Sequence, residues 1–167
     1  MDYSIASRGL IGFRTEFLTS TSGSGLMYHT FDMYRPVIKG LHTGRRNGVL
    51  ISIGQGKALP YALFNLQDRG KMLIKNGVEV YEGMIIGIHS RNNDLVVNPL
   101  KGKQLTNVRA SGNDDAVLLT TPINVTLEFA LEFINDDELI EVTPISLRIR
   151  KKFLKEHERK KAARAAS

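Results

Sequence analysis

The side chains best suited to chemistry in this sequence are basic, and one pair of them is held between glycines. Arg45 and Arg46 lie between Gly44 and Gly48, with Asn47 beside them. A guanidinium group presents a planar fork of donors that matches a phosphate group. Because flanking glycines are typical of a turn, the pattern predicts a turn that presents both arginines to RNA. The alternative is a turn whose charges serve only solubility.

A second group of polar and basic residues lies in segment 98–115, which contains few apolar residues. The segment is too long for an ordinary hairpin turn, and long loops inside compact domains often carry function. Lysine and arginine neutralise phosphates, whereas glutamine and asparagine bond to sugar or base edges. Composition alone favours the alternative, a flexible polar loop that contacts no partner. The side chains that would contact RNA here are Lys101, Lys103, Gln104, Asn107 and Arg109.

The C-terminal segment 148–167 carries most of the positive charge. It contains nine basic and two acidic residues, a net charge of +7, whereas the whole chain has +6 and the remainder therefore −1. Such a distribution steers a polyanion to this end of the chain. Phe153 is the single aromatic residue there, so the pattern predicts phosphate binding without base stacking, and a solvated charged face is the alternative. The residues expected to contact RNA are Arg150, Lys151, Lys152 and Lys155.

Other kinds of chemistry find little support in the sequence. Each Gly-Lys pair lacks the glycine five residues earlier that a phosphate-binding loop requires. The four histidines are scattered, and the lack of cysteine excludes disulfides and thiolate metal sites. The acidic run Asp136-Asp137-Glu138 lacks the ligand spacing of a calcium loop, and we expect a solvated turn there. We therefore predict no catalytic residues and no metal site.

The elements that must position these residues begin with one helix and one strand. Residues 7–18 have an apolar stripe at helical spacing, and residues 26–34 have the pattern of a strand rich in aromatic side chains. Two such elements cannot bury their apolar faces alone. Since little precedes them, we expect the chain to be the C-terminal portion of a longer protein.

Short apolar runs separated by glycine-bearing turns follow from residue 37 onward, which predicts a barrel or a compact mixed sheet. Thr126 is predicted to cap a helix over 127–134, and Thr143-Pro144 to start a basic helix over 144–164. The apolar runs expected to form the sheet are 49–53, 61–66, 72–74, 84–88, 95–97 and 117–119.

Several segments, taken in order along nearly the whole chain, carry a family resemblance. They are Ser7-Arg8-Gly9-Leu10-Ile11-Gly12-Phe13, Gly44-Arg45-Arg46-Asn47-Gly48-Val49-Leu50-Ile51-Ser52, Asn65-Leu66-Gln67-Asp68-Arg69-Gly70, Val80-Tyr81-Glu82-Gly83-Met84-Ile85-Ile86-Gly87, Lys103-Gln104-Leu105-Thr106-Asn107-Val108-Arg109, Asn135-Asp136-Asp137-Glu138 and Val142-Thr143-Pro144. The set resembles BipA/TypA, the ribosome-associated translational GTPases related to the elongation factors.

The resemblance implies an α+β fold in two parts. Residues 1–35 would be the C-terminal part of the family's fifth, elongation-factor-like domain, an αβ remnant of a ferredoxin-like domain. Residues 36–167 would be the BipA/TypA-specific C-terminal domain, a mixed β-barrel-like domain with C-terminal helices and a basic terminal helix. The family's GTPase domain would lie outside this chain. The resemblance thus implies no enzyme activity and no cofactor here, with GTP and Mg²⁺ serving the full-length factor.

The resemblance also implies the partners. It predicts docking on the ribosome through rRNA and on the A-site tRNA, because the loop that corresponds to 98–115 reaches toward that tRNA in the family. It further implies a cytoplasmic monomer without a membrane partner, acting in stress adaptation or large-subunit assembly. The alternative is a protein–protein interaction module without direct RNA contact.

Overall fold

The computed structural model describes residues 1–37, 45–103 and 118–166. The chain separates into two compact units, Met1–Gly44 and Arg45–Ser167.

The described residues of the first unit contain one 3-10 turn, Ser7–Leu10, and one helix, α1, Phe13–Ser20. The predicted helix over 7–18 is therefore interrupted, because Gly12 adopts a left-handed backbone with φ of 76° between the two pieces. The predicted strand over 26–34 is wrong, since residues 1–37 form no strand. A strand needs a hydrogen-bonded neighbour, and the described part of this unit supplies none.

The second unit contains eight strands in three sheets within its described residues. The strands are β1 Val49–Ser52, β2 Gly56–Lys57, β3 Gly70–Met72, β4 Glu79–Val80, β5 Ile85–His89, β6 Leu95–Val97, β7 Glu138–Val142 and β8 Leu147–Lys151. Four of them form a sheet in the order β3-β5-β1-β6, in which β1 pairs antiparallel with β5 and parallel with β6. The others form two antiparallel pairs, β2 with β4 and β7 with β8.

Three helices accompany these sheets in the same described residues: α2 Pro60–Gln67, α3 Leu127–Phe133 and α4 Glu156–Ala166. The predicted cap of α3 is confirmed, because Thr126 Oγ1 accepts a hydrogen bond from the Phe129 N–H at 3.2 Å. The run 61–66, predicted as a strand, is helical instead. Pro60 begins that helix, and a proline at this position loses no hydrogen bond.

The predicted helix over 144–164 is wrong in its first half. Thr143-Pro144 begins a turn between β7 and β8, in which Thr143 Oγ1 accepts a hydrogen bond from the Ser146 N–H at 3.0 Å. Threonine before proline favours such a turn as readily as a helix start. Leu147 and Ile149 then alternate with Arg148 and Arg150 along β8, and the pattern of that strand has a period of two.

The core of the second unit lies on both faces of strand β1. Leu50 belongs to one apolar cluster with Leu63 and Ile86, while Val49 and Ile51 belong to a second cluster. Successive side chains of a strand point to opposite faces, so a continuous apolar run marks a strand that is covered on both. Full burial of such side chains contributes about 1.5–3 kcal/mol each. The α+β class is confirmed, and no described helix is long and apolar enough to cross a membrane.

Candidate nucleic-acid interface

Arg45 lies inside the second unit, and the prediction that the 44–48 turn exposes both arginines is wrong for this residue. Its side chain is only 10% exposed, and its guanidinium makes a two-pronged ion pair with Glu138, at 2.8 and 3.1 Å. The same group donates to the Phe133 carbonyl at 2.9 Å and lies 4.1 Å from the centre of the Phe133 ring. These contacts occupy the donors that a phosphate would need.

Lys151 is also buried, although it belongs to the most basic segment of the chain. Its side chain is 3% exposed and its Nζ lies within 2.7–2.9 Å of three carboxylates, those of Asp94, Asp137 and Glu138. Burial by itself would lower the pKa of Lys151. The hydrogen bonds to Asp137 and Asp94 and the charge of Glu138 outweigh that effect and raise the pKa above its ordinary value.

Glu138 is shared by both cations, so we call these five residues the Arg45–Lys151 ion cluster: Arg45, Asp94, Asp137, Glu138 and Lys151. The expected solvated turn at 136–138 is therefore wrong for Glu138, whose side chain is fully buried. Charged residues are rarely fully buried unless they are paired. The pair that Glu138 forms with Arg45 joins positions 93 residues apart, which no local pattern reveals.

Arg46 has the opposite environment, since it is exposed beside buried Arg45. The turn that carries it is fixed by its neighbours. The Asn47 side chain donates to the His89 carbonyl at 3.0 Å, and the Gly48 N–H donates to the Arg91 carbonyl at 2.8 Å. The structure thus presents one arginine of the pair from a turn held against the end of β5.

The start of segment 98–115 is firmly anchored to the second unit. Pro99 is fully buried, and its carbonyl accepts a hydrogen bond from the Leu59 N–H at 2.9 Å. Lys101 and Lys103 follow closely and are exposed. The other three residues predicted to contact RNA in this segment, Gln104, Asn107 and Arg109, lie outside the described residues.

The C-terminal basic residues fall into two groups. Arg150 is half-buried and its Nε lies 2.6 Å from Glu141, whereas Lys152 and Lys155 are exposed. Helix α4 adds exposed cations beyond them, and a salt bridge of 2.6 Å joins its Lys160 to Glu156. That contact lowers the pKa of Glu156. The exposed basic residues of this end are Lys152, Lys155, Lys160, Lys161 and Arg164.

A cleft that the sequence analysis missed lies between the β2–β4 pair and the β7–β8 hairpin. It has a volume of about 270 Å³ and is lined by Lys57 and Arg148, among others. These two cations belong to strands that are far apart in the sequence, β2 and β8, so no local pattern indicates that they meet. We call this the Arg148 cleft, lined by Gln55, Lys57, Glu79, Tyr81 and Arg148.

The described residues contain no group of histidines and carboxylates that could hold a metal ion. The arrangement offers exposed cations on a rigid α+β unit, together with buried cations that stabilise that unit. Exposed lysines and arginines on a rigid scaffold neutralise phosphates and fix the orientation of a bound nucleic acid.

The fold and this surface define a small α+β domain that carries a basic C-terminal helix. The family model of the TypA/BipA C-terminal domain matches residues 47–156. The chain belongs to the TypA/BipA family.

Curated relatives extend the similarity over the whole chain. The large ribosomal subunit assembly factor BipA of Escherichia coli strain K12 is 65% identical over 165 residues, which cover 99% of this chain and 27% of that protein. The factor of the same name from Haemophilus influenzae is 61% identical over 167 residues, 100% of this chain and 27% of that protein. The one from Buchnera aphidicola is 60% identical over 160 residues, 96% of this chain and 26% of that protein. The chain spans about a quarter of the length of these relatives.

Proposed function

We propose that this chain is the ribosome- and RNA-binding C-terminal region of a BipA/TypA-like translational GTPase. The observation that carries the proposal is the surplus of exposed cations at the C-terminal end, Lys152, Lys155 and those of helix α4. Membership in the family supports it, and so do relatives that are named large ribosomal subunit assembly factors. Each phosphate that such a surface neutralises adds affinity that depends on salt rather than on sequence.

The proposed surface includes fewer residues than the sequence suggested. We retain Arg46, Lys152 and Lys155 as contacts to rRNA, and we assign Arg45 and Lys151 to the ion cluster because both are buried. Arg150 is retained as a partial contact, since its Nε is already engaged by Glu141.

Contact with the A-site tRNA is assigned to segment 98–115. Its anchored start at Pro99 and exposed Lys101 and Lys103 support this assignment. Residues that are already ordered before binding lose less conformational entropy when a partner binds. Gln104, Asn107 and Arg109 belong to the same proposal.

We propose that GTP and Mg²⁺ bind a part of the factor that corresponds to residues outside this chain, and that the factor acts as a cytoplasmic monomer. Residues 1–35 would complete a ferredoxin-like domain with a preceding segment, and residues 36–167 would form the family's barrel-like C-terminal domain.

A protein–protein interaction module is the second candidate, and the first unit favours it. Tyr28, Phe31 and Tyr34 are 87%, 73% and 94% exposed. Large exposed apolar side chains in one segment are typical of a surface that another protein segment covers.

Co-sedimentation with purified 70S ribosomes separates the two candidates. We expect the wild-type chain to pellet with ribosomes at about 0.1 M salt and to be released as the salt concentration rises, because salt cations compete for the phosphates. The variant Lys152→Gln/Lys155→Gln should be released at lower salt than the matched variant Lys71→Gln/Lys75→Gln, which removes two exposed lysines from another part of the domain. Pelleting that is insensitive to salt and to both variants would favour the protein-binding module.

A further inference from the structure

The Arg148 cleft contains a cation whose natural partner is engaged elsewhere. Arg148 lies directly opposite Glu141 in the register of β7 and β8, a position from which a cross-strand ion pair would normally form. Yet the two oxygens of Glu141 are taken by other groups. Oε1 lies 2.6 Å from Arg150 Nε, and Oε2 accepts a hydrogen bond of 2.6 Å from the Tyr81 hydroxyl.

The consequence is a half-buried guanidinium that has no ion-pair partner among the described residues. Tyr81 contributes to this arrangement by burial and by its bond to Glu141, both of which raise the pKa of its phenol well above the ordinary value and keep it a neutral donor. The position of Arg148 is fixed by β8, whose next residue, Ile149, is buried in the core.

Lys57 supplies a second cation on the other wall of the cleft. It lies opposite Glu79 in the register of β2 and β4, and the two side chains form no ion pair in the described structure. The glycine before it, Gly56, has a φ of 152° and lines the same cleft. A Cβ added to Gly56 would meet the Leu100 side chain at 3.1 Å, so the glycine at this position makes room for Leu100.

The lining of the cleft indicates the kind of ligand. Two cations, Lys57 and Arg148, suit one phosphate group. The exposed carboxylate of Glu79 disfavours a small free anion, but it can accept a hydrogen bond from a hydroxyl such as the ribose 2′-OH. The volume of about 270 Å³ lies just below the roughly 300–1,000 Å³ of ordinary small-molecule sites, which fits one nucleotide unit of a chain rather than a whole cofactor.

We propose that the Arg148 cleft binds one nucleotide of single-stranded RNA, with its phosphodiester between Lys57 and Arg148 and its 2′-OH toward Glu79. The proposal rests on the proposed RNA-binding function and assigns a site to it that is separate from segment 98–115 and helix α4.

The test uses the full 167-residue chain and a fluorescently labelled, unstructured RNA of pyrimidine nucleotides, with affinity measured by fluorescence anisotropy at several salt concentrations. Arg148→Gln and Lys57→Gln should each weaken binding about tenfold, because each removes a charge-assisted contact. Each should also lower the slope of log affinity against log salt by about 0.7. The matched control is Lys75→Gln, an exposed lysine that lies outside the cleft.

Two further variants test whether the contacts of Glu141 with Tyr81 and Arg150 keep its carboxylate away from Arg148. Neither variant removes a cation. Tyr81→Phe deletes the donor to Glu141, so that this carboxylate turns toward Arg148, and RNA affinity should fall several-fold with the charge unchanged. Glu141→Gln should raise the affinity, because it leaves Arg150 as an additional free cation. Thermal melting of each variant identifies any that fails to fold, and Lys57→Gln, an exposed change, keeps the test informative in that case.

The outcomes distinguish this proposal from the proposed function. If Arg148→Gln and Lys57→Gln bind RNA as tightly as Lys75→Gln while the wild-type chain still pellets with ribosomes, the cleft assignment is overturned and the function stands. If the wild-type chain binds neither ribosomes nor RNA, both are overturned. Displacement of the RNA by inorganic phosphate or by an oligoglutamate peptide at matched concentration would also overturn the RNA assignment.

Discussion

Glu138 and Lys151 face each other across the β7–β8 hairpin, with 2.9 Å between Glu138 Oε1 and Lys151 Nζ, and both side chains are almost entirely buried. Each also has further partners of opposite charge: Arg45 for Glu138, and Asp94 and Asp137 for Lys151. Breaking a buried pair by removing one partner is costly because it leaves a charge without compensation. The ion cluster thus joins the start of the second unit to the strand that precedes α4.

Replacement of Lys151 by methionine should destabilise the domain strongly. We expect a loss of about 3 kcal/mol in the free energy of unfolding, since Glu138 keeps only Arg45 as a counterion. Urea titration followed by circular dichroism measures this loss. The neighbouring variant Lys152→Met changes an exposed lysine and should fall within about 0.5 kcal/mol of wild type. Equal effects at the two positions would contradict the assigned role of Lys151.

The same cluster predicts the pH dependence of stability. The pKa of Lys151 in the folded protein is raised above its ordinary value of 10.5. A raised pKa in the folded state means that this contribution is fully present below about pH 10.5 and is lost as the pH rises through the folded-state pKa. The difference in unfolding free energy between wild type and Lys151→Met should thus stay constant from about pH 7 to about pH 10 and shrink above about pH 10.5. Urea titrations at each pH measure this difference in unfolding free energy. A difference that becomes smaller as the pH is lowered toward neutral would contradict the prediction.

Arg45 and Arg46 are adjacent in sequence and should have opposite mutant phenotypes. Arg45→Gln should lower the unfolding free energy by about 2–4 kcal/mol, because it breaks the ion pair with fully buried Glu138. Arg46→Gln should leave stability unchanged and weaken ribosome binding, because Arg46 is exposed. Thermal melting and ribosome co-sedimentation of the two variants measure these effects. A stable Arg45→Gln variant that no longer binds ribosomes would show that Arg45 contacts the ribosome and does not stabilise the domain.

Gly83 and Gly77 form a matched pair for a test of how α4 is positioned. They have φ of 83° and 78°, but a Cβ added to Gly83 would meet the Leu154 backbone at 2.7 Å, whereas one added to Gly77 would meet nothing within 4 Å. Gly77→Ala should therefore show the backbone strain alone, about 1–2 kcal/mol. Gly83→Ala should cost distinctly more, since it must also displace the segment that leads into α4. Denaturant unfolding of both variants checks the order, and an equal cost would mean that Leu154 moves freely.

Local features of this fold were easier to predict from the sequence than distant pairings. Leu50 and its neighbours in β1 form a continuous apolar run, and Thr126 has a recognisable capping pattern, so both elements were found in the right place. Thr143-Pro144 fits a turn and a helix start equally well locally, and the choice depends on the pairing of β7 with β8. The burial of Arg45 and Lys151 depends on Glu138, and the Arg148 cleft depends on strands far apart in the sequence. Pairings of that kind leave no periodic signal in a single sequence.

Segment 98–115 and the C-terminal end have different proposed partners, the A-site tRNA and rRNA. Lys101→Ala/Lys103→Ala/Arg109→Ala should weaken tRNA or ribosome binding and lower the slope of log affinity against log salt by about 0.7–0.9 for each phosphate that is no longer neutralised. The comparison variant, Lys152→Ala/Lys155→Ala/Lys161→Ala, removes the same charge from three exposed residues and spares buried Lys151, whose replacement would destabilise the domain. The C-terminal variant should associate with tRNA more slowly but dissociate from it at the wild-type rate, because the proposed contacts of Lys152 and Lys155 are with rRNA and their charges only steer the tRNA. The segment variant should dissociate from tRNA faster, because it can no longer hold the bound phosphates directly. Stopped-flow kinetics with labelled tRNA separates the two rates. Wild-type dissociation of the segment variant beside fast dissociation of the C-terminal variant would assign direct tRNA binding to the C-terminal end instead.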